Sequence, residues 1–169
     1  MNAIIEEKMT EKIDSPVYTG MRKYIDKESG YAIWLPSDWY RFDMNKDHTG
    51  VIFSPHADNF DTSFTAEKHV LKYKVTENDL DILREGFQEG LNSLPGIEIE
   101  SENYDFNKDY ILLEARFTFL EGEARRKRWV RNMYWGEGQL VFIAQGATVE
   151  EFTYWEAMFY NTMFTWELT

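Results

Sequence analysis

From Tyr110 to Leu120 the chain alternates with a period of two. Ile111, Leu113, Ala115, Phe117 and Phe119 fall on one side, and Glu114, Arg116 and Thr118 on the other. That period is the signature of a strand with one face inward. Similar runs recur along the chain, separated by turn residues. Val17 to Ile25 reads as a strand, Lys27-Glu28-Ser29-Gly30 as a turn, and Tyr31 to Leu35 as the strand returning beside it. Pro36 ends that strand because proline has no N–H for the ladder, and Ser37-Asp38 turn the chain so that Trp39 folds back over the sheet. Residues 44–50 read as a loop. Val51 to Phe53 is a short strand stopped by Pro55, and Thr62 to Leu71 places Phe64, Ala66, Lys68 and Val70 on one face. Ile97 to Phe106 precedes the Tyr110 strand. Glu121-Gly122-Glu123 then turns into Arg126 to Trp135, and Gly136-Glu137-Gly138 turns into Gln139 to Gly146. Hairpins at such regular spacing predict an antiparallel meander of about six or seven strands.

The period changes to helical in two places. Leu80, Leu83, Phe87, Leu91 and Leu94 form one stripe behind a Thr76/Asp79 capping box, and Pro95-Gly96 stop it. Thr148 and Glu151 form a second capping box, followed by a stripe of Phe152, Trp155, Phe159, Thr162/Met163 and Trp166. Two helices must cover apolar sheet surface, so the class is a layered α+β sandwich. Residues 1–16 are polar and charged. Ile5, Met9 and Ile13 allow a short amphipathic helix, but a loose arm ahead of one domain at 17–169 is the expectation.

Composition narrows the function. At 169 residues one sizeable core fits. Aromatic residues make up 17%, enough for large side chains on a wide sheet and for an exposed contact surface. The formal net charge of −12 disfavours nucleic acid and anionic membranes as partners. With no cysteine there is no disulfide, thiolate nucleophile or Cys-ligated metal. No apolar run is long enough for a membrane span. The first residues have neither a basic n-region nor an apolar h-region, so the expectation is a cytoplasmic protein, or a chain processed from an exported form.

Candidate chemistry is sparse. His48, His56 and His69 have no metal-binding spacing, and solvated histidines are the simpler reading. Asp43-x-Asn45-x-Asp47 opens like a calcium loop, but His48 and Ser54 stand where glycine and a bidentate glutamate are required. There is no serine elbow and no phosphate-cradling loop. Glu114 and Arg116 read as surface charges. No catalytic residue, cofactor site or metal site is expected. The one local anomaly is the basic run Arg125, Arg126, Lys127 and Arg128, followed by Trp129 and Arg131. Alternation puts Arg126, Arg128 and Val130 on one face, and Lys127, Trp129 and Arg131 on the other. A cationic strand with a tryptophan can grip an acidic partner. Equally, its cations can pair across strands with Glu114, Glu121 and Glu123.

Gly30-Tyr31-Ala32-Ile33-Trp34-Leu35-Pro36-Ser37-Asp38-Trp39 resembles the early G-Y-x-hydrophobic-x-x-P-x-x-W segment of the PsbP-like superfamily, and Val51-Ile52-Phe53-Ser54-Pro55 fits its next strand. The resemblance spans roughly residues 20–168, with helix, meander and final aromatic helix in order. It implies an α/β/α sandwich around an antiparallel sheet. The superfamily includes a photosystem subunit, a Ran-binding nuclear-import factor, bacterial proteins of unknown function and some chaperones for secreted effectors. Its members are mostly binding or assembly proteins, so the resemblance implies a non-enzymatic interaction module. A chaperone-like binder of apolar segments or a small-ligand binder is the alternative. The expected partner is another protein, met through Arg125, Arg126, Arg128, Trp129 and Arg131. Homodimerisation stays open. No functional motif carries over from the family.

Overall fold

A computed structural model describes residues 15–44 and 50–169. Most of the expected arm lies outside the described residues, as do Asn45, Asp47 and His48 of the calcium-like loop. The chain folds as an α/β/α sandwich. β1 (Met21–Asp26) and β2 (Tyr31–Pro36) form the expected hairpin. β1 starts four residues later than predicted because Met21 is already opposite Pro36, where β2 ends. β3 (Tyr40–Asp43) and β4 (Gly50–Ser54) pair with each other, and β4 pairs with β5 (Ser63–Val75). A single 3-10 turn at Glu77–Asp79 leads into α1 (Leu80–Asn92), and both halves of the Thr76/Asp79 capping box are made. β6 (Glu98–Asn107), β7 (Tyr110–Glu121), β8 (Ala124–Gly146), α2 (Val149–Phe164) and β9 (Glu167–Leu168) complete the chain. The main sheet runs β3-β4-β5-β8-β7-β6, all neighbours antiparallel.

β8 is one continuous ladder element that folds back on itself. Arg128 Nε donates to Gln145 Oε1 at 3.0 Å, and Gln139 Nε2 donates to the Tyr134 hydroxyl at 2.9 Å. In an extended strand, residues 17 apart would lie about 56 Å from each other. The reversal falls at Gly136-Glu137, with Gly136 at φ +54°, a conformation that favours glycine in a tight hairpin turn. The first limb pairs with β7 and the second with β5. The Gly136-Glu137-Gly138 turn is therefore where the sequence placed it, and the main sheet contains seven strand runs.

Three features depart from expectation. The first hairpin is not part of the main sheet. With β9 it forms a separate three-stranded sheet, β1-β2-β9. β3 and β9 are too short to carry a periodic signal. Val70 shares a face with Phe64 and Ala66 by alternation, yet it is 82% exposed while those two are fully buried. β5 continues past the layer that covers it, and its register shifts between Val70 and Val75.

Two cores flank the main sheet. On one face α1 sets Leu83, Phe87 and Leu91 against Ile111, Leu113, Ala115 and Phe117. On the other, α2 and the small sheet bury Tyr31, Ile33, Leu35 and Trp39 with Phe53, Phe64, Trp129, Phe142, Phe152 and Phe159. The face of β7 predicted to point outward is therefore also covered, by α2. Leu112 and Thr118 on it are buried. No helix of the described residues is long and apolar enough to cross a membrane.

Candidate functional site

The basic run occupies the first limb of β8, between β7 and the second limb, so both of its edges are paired within the sheet. The predicted alternation holds. Arg126 and Arg128 lie on the α1 side; Trp129 and Arg131 lie on the α2 side. Almost every charge in the run is matched within the chain. Arg125 lies 3.6 Å from Glu98 and donates to the Gly96 carbonyl at 3.0 Å. Arg126 pairs with Glu121 and, at 3.3 Å, with Asp61. Lys127 reaches Glu100 at 2.8 Å. Arg131, 5% exposed, sits 2.7 Å from Glu114 outside hydrogen-bonding alignment and donates through Nη1 to the Met163 carbonyl at 2.7 Å. Trp129 is 1% exposed. The dense positive charge of the sequence is, in the fold, a set of closed contacts, as cross-strand pairing favours.

Arg128 differs from its neighbours. No carboxylate lies within ion-pair distance of it among the described residues. It is held by Gln145 and lies over the Phe119 ring at 4.5 Å. Burial, the largest effect, pushes its pKa down, and the nearby Glu121 only partly offsets this. Arg128 forms one wall of a cavity of about 270 Å³ on the part of the sheet beyond α1, with Met44, Ile52, Phe60 and Ile143 as its apolar side.

The α2 side of the run builds a second feature that the sequence did not single out. Tyr160 and Phe164, one helical turn apart, stack at 5.8 Å and 22° and remain 43% and 59% exposed. Trp129 lies beneath both rings, at 4.9 and 5.9 Å. The Arg116 guanidinium is sandwiched near Trp129 (3.9 Å) and Tyr160 (4.6 Å) and pairs with Glu156 at 3.2 Å. Arg131 lies 4.7 Å from the Phe164 ring. The result is a rigid aromatic surface with its charges neutralised in pairs. A sequence signal existed: Tyr160 and Phe164 are aromatic residues at i, i+4 that fall off the buried stripe of α2.

The remaining candidates do not converge. His56 bonds Glu151 at 3.1 Å, and His69 lies 3.2 Å from Glu67, its neighbour two residues away on β5. Among the described residues no three acidic or histidine side chains are grouped to hold a metal.

An antiparallel meander between α1 on one side and α2 with a small sheet on the other defines the class: an α/β/α sandwich. The particular fold is PsbP-like. No family model and no curated protein matches the sequence. Solved structures match the fold. Cyanobacterial PsbP (CyanoP) from Synechocystis sp. PCC 6803 is similar over 93% of this chain and 99% of its own, with 14% identity and a TM-score of 0.64. LpqN of Mycobacterium tuberculosis, involved in cell envelope biogenesis, covers 89% of this chain and 91% of its own, with 10% identity and a TM-score of 0.59. A protein of unknown function from Pseudomonas aeruginosa covers 86% and 94%, with 13% identity and a TM-score of 0.57. Identities this low establish architecture and leave function to the site.

Proposed function

We propose that this chain is a non-enzymatic protein-interaction module whose partner docks on Tyr160 and Phe164 at the C-terminal end of α2. One observation carries the reading: two exposed, mutually stacked rings are braced from below by a buried tryptophan and two arginines whose charges are already paired. Aromatic and arginine side chains on a rigid base are what dominate binding energy at protein interfaces. Because the patch is electrically closed, it offers apolar contact without the repulsion that a net charge of −12 imposes on the rest of the surface. In this reading Trp129 and Arg131 of the basic run support the interface from inside, and Arg125 and Arg126 hold the sheet together.

The alternative, a binder of apolar segments, rests on the cavity walled by Met44, Ile52, Phe60 and Ile143 beside Arg128. Affinity capture from lysate of the source organism separates the two. Wild type, a Tyr160→Ala/Phe164→Ala variant and an Ile52→Asp variant are compared, each first checked for native near-ultraviolet circular dichroism. A protein lost only with the α2 variant supports the patch, and one lost only with Ile52→Asp supports the cavity. Identical capture by all three rejects both.

A further inference from the structure

The cavity beside Arg128 is floored by the main sheet. On each strand it takes the residues that alternate with the α2-side core. Ile52 lies between buried Val51 and Phe53, Thr65 between Phe64 and Ala66, and Ile143 between Phe142 and Ala144. Their side chains therefore rise from the opposite face, into the cavity. The ladder register sets them in rows. Ile52 stands opposite Thr65, and Thr65 opposite Ile143. In the next row Ser63 stands opposite Gln145, and Arg128 extends that row through its bond to Gln145.

The polar groups of the second row are incompletely used. Gln145 is fixed at both ends: Oε1 accepts from Arg128 Nε at 3.0 Å, and Nε2 donates to the Asp61 carbonyl at 2.8 Å. Arg128 spends Nε and Nη2 on that one oxygen, and its remaining N–H groups have no acceptor among the described residues. Ser63 is 6% exposed, and its hydroxyl has no hydrogen-bond partner among the described residues. The carboxylates of the wall are already matched, Asp61 and Glu121 by Arg126, and Glu67 by His69. The guanidinium is thus the charge of this cavity that lacks a counter-ion, and Gln145 holds it in place. A positioned guanidinium is suited to a carboxylate, and its fixed geometry lowers the entropy lost on binding.

We infer that this cavity binds a small monocarboxylate on an apolar body, an aliphatic or aryl acid. The carboxylate meets Arg128 and Ser63, and the body lies over Ile52, Ile143 and Phe60. A second carboxylate would be repelled by Asp61, Glu67 and Glu121. The volume of about 270 Å³ keeps the ligand small, just below the roughly 300–1,000 Å³ of most small-molecule sites. The inference is independent of the docking surface on α2.

The test uses the full chain with hexanoate and phenylacetate as probes, and hexanamide and phenylacetamide as uncharged counterparts of the same shape. Binding is followed by nuclear magnetic resonance at the Ile52 and Ile143 δ-methyl groups, assigned with Ile52→Val and Ile143→Val variants. Both acids should shift these resonances saturably, and the amides should bind about tenfold more weakly. Arg128→Gln should remove the preference for acid over amide. Phe60→Ala, at a ring 51% exposed and so without risk to the core, should weaken the acids about threefold. Tyr160→Ala/Phe164→Ala should leave acid binding unchanged, which separates this site from the α2 surface. Equal binding of acid and amide, a preference that survives Arg128→Gln, full affinity in Phe60→Ala, loss of acid binding in the α2 variant, or no shift with either acid overturns the inference.

Discussion

The two ends of α2 carry aromatic clusters of opposite design. At the N-terminal end the rings are buried, with Trp39 and Trp155 almost inaccessible, and Asp38 beside them has no ion-pair partner among the described residues. At the C-terminal end the rings stand in solvent and every neighbouring charge is paired, Arg116 with Glu156 and Arg131 with Glu114. The first arrangement makes a recess with carboxylates at its rim. The second makes a raised surface whose arginines are matched by carboxylates and which exposes apolar area. Aromatic content alone does not distinguish a pocket from an interface. The state of the charges around the rings does.

The largest expected effect breaks the C-terminal end from beneath. Arg131→Ala leaves Glu114 half-enclosed without its cation, and we expect a loss of about 3 kcal/mol in stability, measured by urea unfolding. Next, Tyr160→Ala/Phe164→Ala should weaken the captured partner by about 2 kcal/mol, roughly 30-fold in Kd. Its cost in stability should be only about 1 kcal/mol, since both rings are substantially exposed. If stability fell as far as in Arg131→Ala, the rings would belong to the core and not to an interface.

A smaller effect serves as a control away from both ends. Tyr31 is fully buried in β2 and its hydroxyl has no partner. Tyr31→Phe should stabilise the fold by about 1 kcal/mol in thermal or urea unfolding. Burial, aided by the charge of Asp26, raises the Tyr31 pKa far above the ordinary value. The unfolded chain therefore releases this proton first, near the ordinary tyrosine pKa of about 10. Stability does not depend on this group below that pH and falls as pH rises above it. The decline should be shallower in Tyr31→Phe. An identical pH profile in both proteins would show that another group governs it.

Much of this was legible in the sequence, for identifiable reasons. The Thr76/Asp79 and Thr148/Glu151 boxes announce both helices because capping is local. Gly136-Glu137-Gly138 marks a hairpin because the turn needs a residue tolerant of positive φ. The alternation of the basic run is also correct, since it depends only on the strand period. What alternation cannot give is the second cover. Glu114 and Arg116 read as solvent-facing because nothing local says that α2, some forty residues later, lies over them. For the basic run, cross-strand pairing with Glu114 and Glu121 was legible from the strand period, whereas Asp61, Glu98 and Glu100 come from outside the two strands of that hairpin and were not. The N-terminal cleft joins Asp38 to Glu151 across more than a hundred residues, and no local pattern encodes that meeting.

The most direct test of the central claim is hydroxyl-radical footprinting of the chain with and without its captured partner. The account predicts that Tyr160 and Phe164, oxidised in the free protein, become protected in the complex, while Tyr73 and Phe60 elsewhere on the surface are oxidised equally in both states. Continued oxidation of Tyr160 and Phe164 in a saturated complex would contradict it.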